Sequence, residues 1–216
     1  MSSREAAFIR ANTAIAAPLL VPEIRLHLAS EITPLWQATE ATLARDQLPP
    51  PYWAFAWAGG QALARHVLDH PELVRGKPVL DVGAGSGLLA LAAARAGAGS
   101  ATAAEIDPFA VTAIALNAAL NQLAVTVETA DVIGRFPVPW QIALVGDMCY
   151  ERPLAERLTR WLSALARNGV DVLLGDPGRN YLPKDGLTPL ARYTVPTSLD
   201  LENRTSREGV VWRLNG

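Results

Sequence analysis

The sequence predicts an α/β fold: an open, doubly wound, mostly parallel sheet with an antiparallel hairpin at its C-terminal edge and a helical cap at its N-terminus. Three observations carry this reading. From residue 78 onward, short apolar runs alternate with helix-period stretches in a βαβαβ order, which places helices on both faces of one sheet. A glycine-rich loop, Gly83-Ala84-Gly85-Ser86-Gly87, falls where the first of these strands meets the next helix. The 216 residues, 50% of them hydrophobic, suffice for one full-sized core but not for two domains and a linker. One compact unit is expected, with residues 1–50 as the cap and residues 51–216 as the sheet domain.

The first 50 residues are punctuated by proline and lack sustained strand alternation; helix-compatible stretches run from Ser2 to Ala16 and from Ile32 to Arg45. Leu48-Pro49-Pro50-Pro51 cannot continue a helix, because proline fixes φ and has no N–H, so it is expected to be extended and to mark the boundary. Helical spacing of Leu63, Val67 and Leu68 predicts a helix over Gly60–Leu73 with Gly76 as its C-cap. Strands are predicted at Pro78–Val82, Ser100–Ile106, Val125–Thr129, Ile142–Gly146 and Val170–Leu174. The helices between them are Gly87–Ala96, Pro108–Gln122 with proline in its first turn, and the amphipathic Leu154–Ala166. Tyr193–Leu199 and Gly209–Leu214 read as a closing hairpin, bringing the strands to seven.

Charge and composition exclude several function classes. With 19 Lys+Arg against 21 Asp+Glu, the net charge is −2, so no global basic field exists to hold a phosphate backbone. Cys149 is the sole cysteine, which rules out an internal disulfide and any thiolate zinc cluster. His27, His66 and His70 lack carboxylate companions at ligand spacing, so neither a metal nor a catalytic histidine is expected. The apolar run Ala14–Val21 is interrupted by Pro18 and falls well short of the roughly 20 residues that span a bilayer. Glu5 and the lack of a small-residue cleavage site argue against a secretory signal and outweigh the transit-peptide flavour of Arg4 and Arg10. A cytoplasmic monomer is expected, or a mitochondrial-matrix one if the source is eukaryotic.

Asp81-Val82-Gly83-Ala84-Gly85-Ser86-Gly87 carries the strongest signal. Glycines at alternate positions turn the chain tightly and let a ligand lie against bare main chain. The pattern is neither the G-x-G-x-x-G of dinucleotide folds nor a triphosphate-cradling P-loop. Eighteen positions past Gly87, Glu105 ends the next strand, where a carboxylate can accept from both hydroxyls of a ribose. Asp107, preceding Pro108, reads as a helix N-cap. Asp131, after the third strand, could take the exocyclic amine of an adenine or cap a turn.

The glycine loop plus the strand-end acid resembles the class I, Rossmann-like, S-adenosylmethionine-dependent methyltransferases over about Val79–Leu174. The resemblance implies S-adenosyl-L-methionine as cofactor and S-adenosyl-L-homocysteine as product. It also implies cofactor contacts at Asp81, Gly83, Ala84, Gly85, Gly87, Glu105, Asp131 and Gly146, with Ile106 along the adenine.

The acceptor is addressed by Asp147-Met148-Cys149-Tyr150. The Asn-Pro-Pro-Tyr arrangement suited to a planar nitrogen is missing; an acid with a tyrosine three residues on suits an amine, the carboxylate holding a lysine ammonium and the tyrosine lining its channel. Tyr52-Trp53-Ala54-Phe55-Ala56-Trp57-Ala58-Gly59-Gly60 is similar to the aromatic approach of the seven-β-strand protein-lysine methyltransferases, which share the Asp/Glu-x-x-Tyr motif. Gly175-Asp176-Pro177-Gly178-Arg179 and Pro22–Leu26 most resemble the branch acting on the electron transfer flavoprotein β subunit. Departures are Ala58, where relatives often carry proline, and Glu105, where they tend to carry aspartate. On this resemblance Asp147 and Tyr150 are catalytic, Trp57 faces the sulfonium, and Trp53, Asp176 and Arg179 face a protein substrate. Rival readings are the same fold acting on a ribosomal protein or a small nitrogenous molecule, or a non-catalytic cofactor-binding module.

Overall fold

The computed structural model describes residues 3–29, 50–197 and 205–216. The predicted helix Ile32–Arg45 lies outside the described residues, as do Leu48 and Pro49.

Five parallel strands run from one edge of the sheet inward: β3 (Pro78–Val82), β4 (Ser100–Ala104), β5 (Thr126–Glu128), β6 (Ile142–Gly146) and β7 (Asp171–Asp176). The edge hairpin is β8 (Leu187–Pro196) and β9 (Ser206–Leu214), and β9 pairs antiparallel with β7. The order β5-β4-β3-β6-β7-β9-β8 makes β3 the switch point, flanked by β4 on one side and β6 on the other. Connections leave that point in opposite directions, so a crevice opens beyond the strands' C-terminal ends.

Alternation along the strands builds two apolar layers. Val79, Ile142, Leu144 and Leu173 point to one face, against α2 (Ala58–Asp69) and α3 (Leu88–Arg95). Leu80, Ala143, Val145, Val172 and Leu174 point to the other, where α5 (Arg152–Arg167) lays down Leu158, Trp161, Leu162 and Leu165. Central strands buried on both faces read as continuous apolar runs, which is why β3 and β6 have the predicted bounds. Asp107 starts α4 (Pro108–Asn121), its Oδ1 accepting from the Phe109 N–H at 2.8 Å.

Four expectations are corrected. Helix α1 (Ser3–Asn12) stops before Ala14–Ala16, which forms β1, antiparallel to β2 (Leu26–Leu28). Asn12 and Thr13 turn their side chains onto the carbonyls of Phe8 and Ile9, ending the helix, and the pairing partner is too distant for local periodicity to reveal. Helix α2 ends at Asp69; Pro71, lacking an N–H, breaks it into a 3-10 turn over Pro71–Leu73, and Gly76 lies past that turn. Pro51, expected to be extended, has ψ 56 and leads into a 3-10 turn, Tyr52–Ala54, because the proline carbonyls of Pro50 and Pro51 take the N–H groups of Tyr52 and Ala54. Strand β8 starts six residues before Tyr193, carrying Pro189 at a bulge, which an edge strand tolerates.

The N-terminal segment shares these layers. Val21, Ile24 and Leu26 belong to the α2–α3 layer, and Ile9 packs with Trp53, Ala110 and Leu116 on α4.

Candidate functional site

A cavity of about 780 Å³ opens at the C-terminal ends of β3, β4 and β6. The turn after β3 forms its floor. Gly83 and Gly85 both adopt positive φ, and a Cβ on Gly83 would run into the Met148 side chain. Glu105, at the end of β4, braces this loop: Oε2 accepts from the Gly85 N–H at 2.9 Å, and Oε1 from the N–H groups of Ile106 at 2.7 Å and Asp107 at 3.0 Å. Three of its roughly four acceptor sites are thus taken by main chain. Ile106 stands 69% exposed on the rim, an apolar surface turned to open space.

Asp81 faces the cavity from behind the loop. It is buried, and Oδ2 accepts from the Ala90 N–H in α3 at 3.0 Å. Burial pushes its carboxyl up to about 7, opposed by the Ala90 bond and reinforced by Glu105. Asp131 caps its own turn through the Ile133 N–H at 2.9 Å and pairs with Arg157 at 2.6 Å, at the far end of the cavity.

At the near end, Asp147 follows β6 with φ +56, an unusual conformation that turns its carboxylate back toward α2. Oδ2 accepts from the Gly60 N–H at 2.8 Å; Oδ1 accepts from Arg179 Nη2 at 2.8 Å and Nε at 3.1 Å. Burial raises its carboxyl to about 6 against the pull of Arg179, with Asp176 adding to the rise. The Arg179 guanidinium lies 5.4 Å from the Trp57 ring centroid. Trp57 meets Tyr52 edge-on at 6.0 Å, and Tyr52 lies 5.5 Å from Tyr150, so three aromatic rings wall the mouth. Burial raises the Tyr150 phenol above its ordinary value.

Thirteen of the fifteen predicted site residues line this cavity; Gly87 and Asp176 do not. Gly87 is the left-handed N-cap of α3 at φ +80, where a Cβ would press on Ile114 at 3.2 Å; its need is helix packing. Asp176 is buried and holds the next turn, Oδ1 accepting from the N–H groups of Gly178 at 2.7 Å and Arg179 at 2.6 Å. It delivers Arg179 to Asp147. Trp53 is both lining and core.

The chain is 39% identical over 214 residues to the electron transfer flavoprotein beta subunit lysine methyltransferase of Xenopus laevis, covering 95% of this chain and 85% of the relative. The Homo sapiens protein of the same description is 37% identical over 216 residues, covering 95% and 80%. The chain belongs to this family. The ribosomal protein L11 methyltransferase (PrmA) family also matches, over residues 62–138. In this member of the lysine methyltransferase family, that stretch holds the glycine loop and Glu105 but stops short of Asp147, Tyr150 and Arg179. Among solved structures, the ribosomal protein L11 methylase of Lactobacillus delbrueckii superposes with a TM-score of 0.54 at 20% identity, covering 75% of this chain and 81% of that one. The magnesium protoporphyrin IX methyltransferase of Synechocystis with bound SAM gives 0.54 at 16% identity, covering 84% and 95%. These likenesses establish the shared fold.

Sequence reasoning missed Met148, Tyr52 and the role of Gly59-Gly60. A Cβ on Gly59 would overlap the Gly175 carbonyl, and one on Gly146 would lie 3.0 Å from the Gly60 Cα. Bare backbone at Gly59, Gly146 and Gly175 lets α2 touch β6 and β7, which puts the Gly60 N–H on Asp147. The paired glycines at the helix start were the available signal. Among the described residues, no helix is long and apolar enough to cross a membrane and no metal-binding cluster occurs.

Proposed function

We propose that the chain transfers a methyl group from S-adenosyl-L-methionine to a lysine side chain of the electron transfer flavoprotein β subunit. The observation that carries this is one elongated cavity with a ribose-type acceptor, Glu105, at a bare glycine loop, and an acid–aromatic mouth, Asp147 with Tyr150, in a chain aligned along most of its length with lysine methyltransferases. The donor set fits the cofactor: main chain at Gly83, Ala84 and Gly85, the Glu105 carboxylate, and the apolar Ile106 surface.

When bound, the cofactor supplies a methyl group on a positively charged sulfur. Glu105 would hold the ribose through the acceptor site that its three main-chain donors leave open. Ile106 covers the adenine, and Asp131 meets its amine by sharing a carboxylate that Arg157 already touches. Gly146 and Trp57 line the end of the cavity that would take the methionine part, with the Trp57 ring shared with the Arg179 guanidinium. Tyr150 and Trp53 line the path by which a lysine approaches in line with the methyl group. Residues 1–50 serve as a cap on the 51–216 domain, and the protein works as a monomer in the cytoplasm, or in the mitochondrial matrix of a eukaryotic source.

The test is incubation of the purified protein and methyl-labelled cofactor with purified electron transfer flavoprotein and, in parallel, with a whole cell extract. The expected result is label on β-subunit lysine, with mass gains in multiples of one methyl group. Label confined to small molecules or to another protein of a whole extract would overturn the substrate.

A further inference from the structure

We propose that Arg179 keeps Asp147 in a neutral ion pair, so that the substrate lysine reacts as a free amine and does not become the carboxylate's counter-ion. This rests on the lysine methylation proposed above and concerns how the same site treats the amine's proton.

Methyl transfer consumes the lone pair on lysine Nζ. The N–C bond forms as the C–S bond breaks, the C–S electron pair stays on sulfur, and the new ammonium later gives its proton to water. An ammonium has no lone pair to offer. A bare carboxylate beside it would hold the proton on and oppose the reaction, since an opposite charge at 4–6 Å shifts a pKa by about one to three units. Asp147 is not bare. Oδ1 accepts two bonds from Arg179, and Oδ2 one from Gly60. The same guanidinium faces Trp57, so Arg179 already holds both the carboxylate and an aromatic face that an ammonium would use.

The arrangement is built in. Asp176 Oδ1 grips the Gly178 and Arg179 main chain, fixing the turn that aims the guanidinium, and arginine keeps its charge across the physiological range. Asp176 on β7 and Cys149 after β6 face Asp147 directly; beyond them Arg207 on β9 acts on Asp176, and Tyr52, Glu151 and Glu105 act on Tyr150, which lines the same cavity. Burial pushes the Cys149 thiol up to about 12 and raises the Tyr150 phenol, so both stay protonated and uncharged near neutrality. Asp147, at about 6, is ionised above pH 7. A change at Arg179 would retune the substrate amine there and would also let the Asp147 carboxyl rise, since the guanidinium holds it down.

Single-turnover rates would be measured from about pH 6.5 to about 9.5 with saturating cofactor and flavoprotein, conditions that report groups in the complex. Arg179→Gln is expected to move the ascending limb up by about one to three units, seen as a loss of about tenfold or more near pH 7.5 that shrinks as pH rises. Arg179→Lys keeps the charge but gives up the second bond to Asp147 and the flat face over Trp57, so its limb should lie between those of the parent and Arg179→Gln. Asp147→Asn removes the neutralising anion and should move the limb down. A uniform slowing by Arg179→Gln at every pH, or a faster variant at neutral pH, would overturn the inference. If Arg179→Gln does not melt cooperatively, an unmoved limb in Asp147→Asn overturns it alone. Failure of the unaltered protein to methylate lysine would instead reject the proposed function, and this inference with it.

Discussion

Asn117 donates from Nδ2 to the carbonyl of Ser86 at 2.9 Å, which ties the middle of α4 to the glycine loop. Its Oδ1 accepts the His27 N–H of β2 at 2.8 Å, so one buried amide joins the N-terminal segment, the helix and the cavity floor. Asn117→Ala leaves a buried donor and a buried acceptor unpaired. It should cost about 1–3 kcal/mol of stability and weaken cofactor binding. Denaturant unfolding and a cofactor titration would check both; unchanged affinity would mean the loop holds its shape without Asn117.

Glu105 is the second brace of that loop. Glu105→Ala removes three main-chain bonds together with the proposed ribose acceptor, and should weaken cofactor binding by about 10- to 100-fold, the scale of hydrogen bonds to a charged group. Glu105→Asp keeps the carboxylate one methylene shorter and should lose less. Calorimetric titration with S-adenosyl-L-homocysteine measures the difference directly.

The pair Gly59 and Gly60 predicts opposite outcomes at neighbouring positions. A Cβ on Gly59 would overlap the Gly175 carbonyl and press on Asp147, whereas one on Gly60 meets nothing within 4 Å. Gly59→Ala should therefore destabilise by about 1–3 kcal/mol or more, and Gly60→Ala should unfold within about 0.5 kcal/mol of the parent. Thermal melts of the two variants side by side decide this.

Asp81 gives the folded protein a pH dependence. Its carboxyl rises from an ordinary 3.8 to about 7 on burial, so the folded state binds a proton that the unfolded state releases. Stability from this group is full below about pH 4 and is lost as pH rises toward about 7. Asp81→Asn keeps an acceptor for the Ala90 N–H and should flatten that decline. Unfolding free energies of cofactor-free protein across this window provide the measurement, and an equally steep decline in the variant would contradict the assignment.

What could be read in advance divides by range. The strands β3 and β6, the glycine loop, Glu105 and the Asp107 cap were legible because each depends on residues within one turn or one strand. Asp147 and Tyr150 were legible as a motif. The pairing of Ala14–Ala16 with Leu26–Leu28 was not, since a three-residue strand owes its existence to a partner beyond any local period. Gly87 looked like its neighbours in the loop, yet it stands at the N-cap of α3, where a Cβ would press on Ile114.

The sequence by itself determined the order of elements, the turn that must be bare and the types of residue at the strand ends, because backbone conformation and burial pattern are local demands. Only the tertiary structure decided which charges meet. Arg179 stands 32 positions from Asp147 and reaches it because β6 and β7 are adjacent, Asp176 sets the turn, and glycines bring α2 into contact with both strands. An ion pair depends on distance through space and on the water excluded around it, and neither is written in the spacing of residues along the chain.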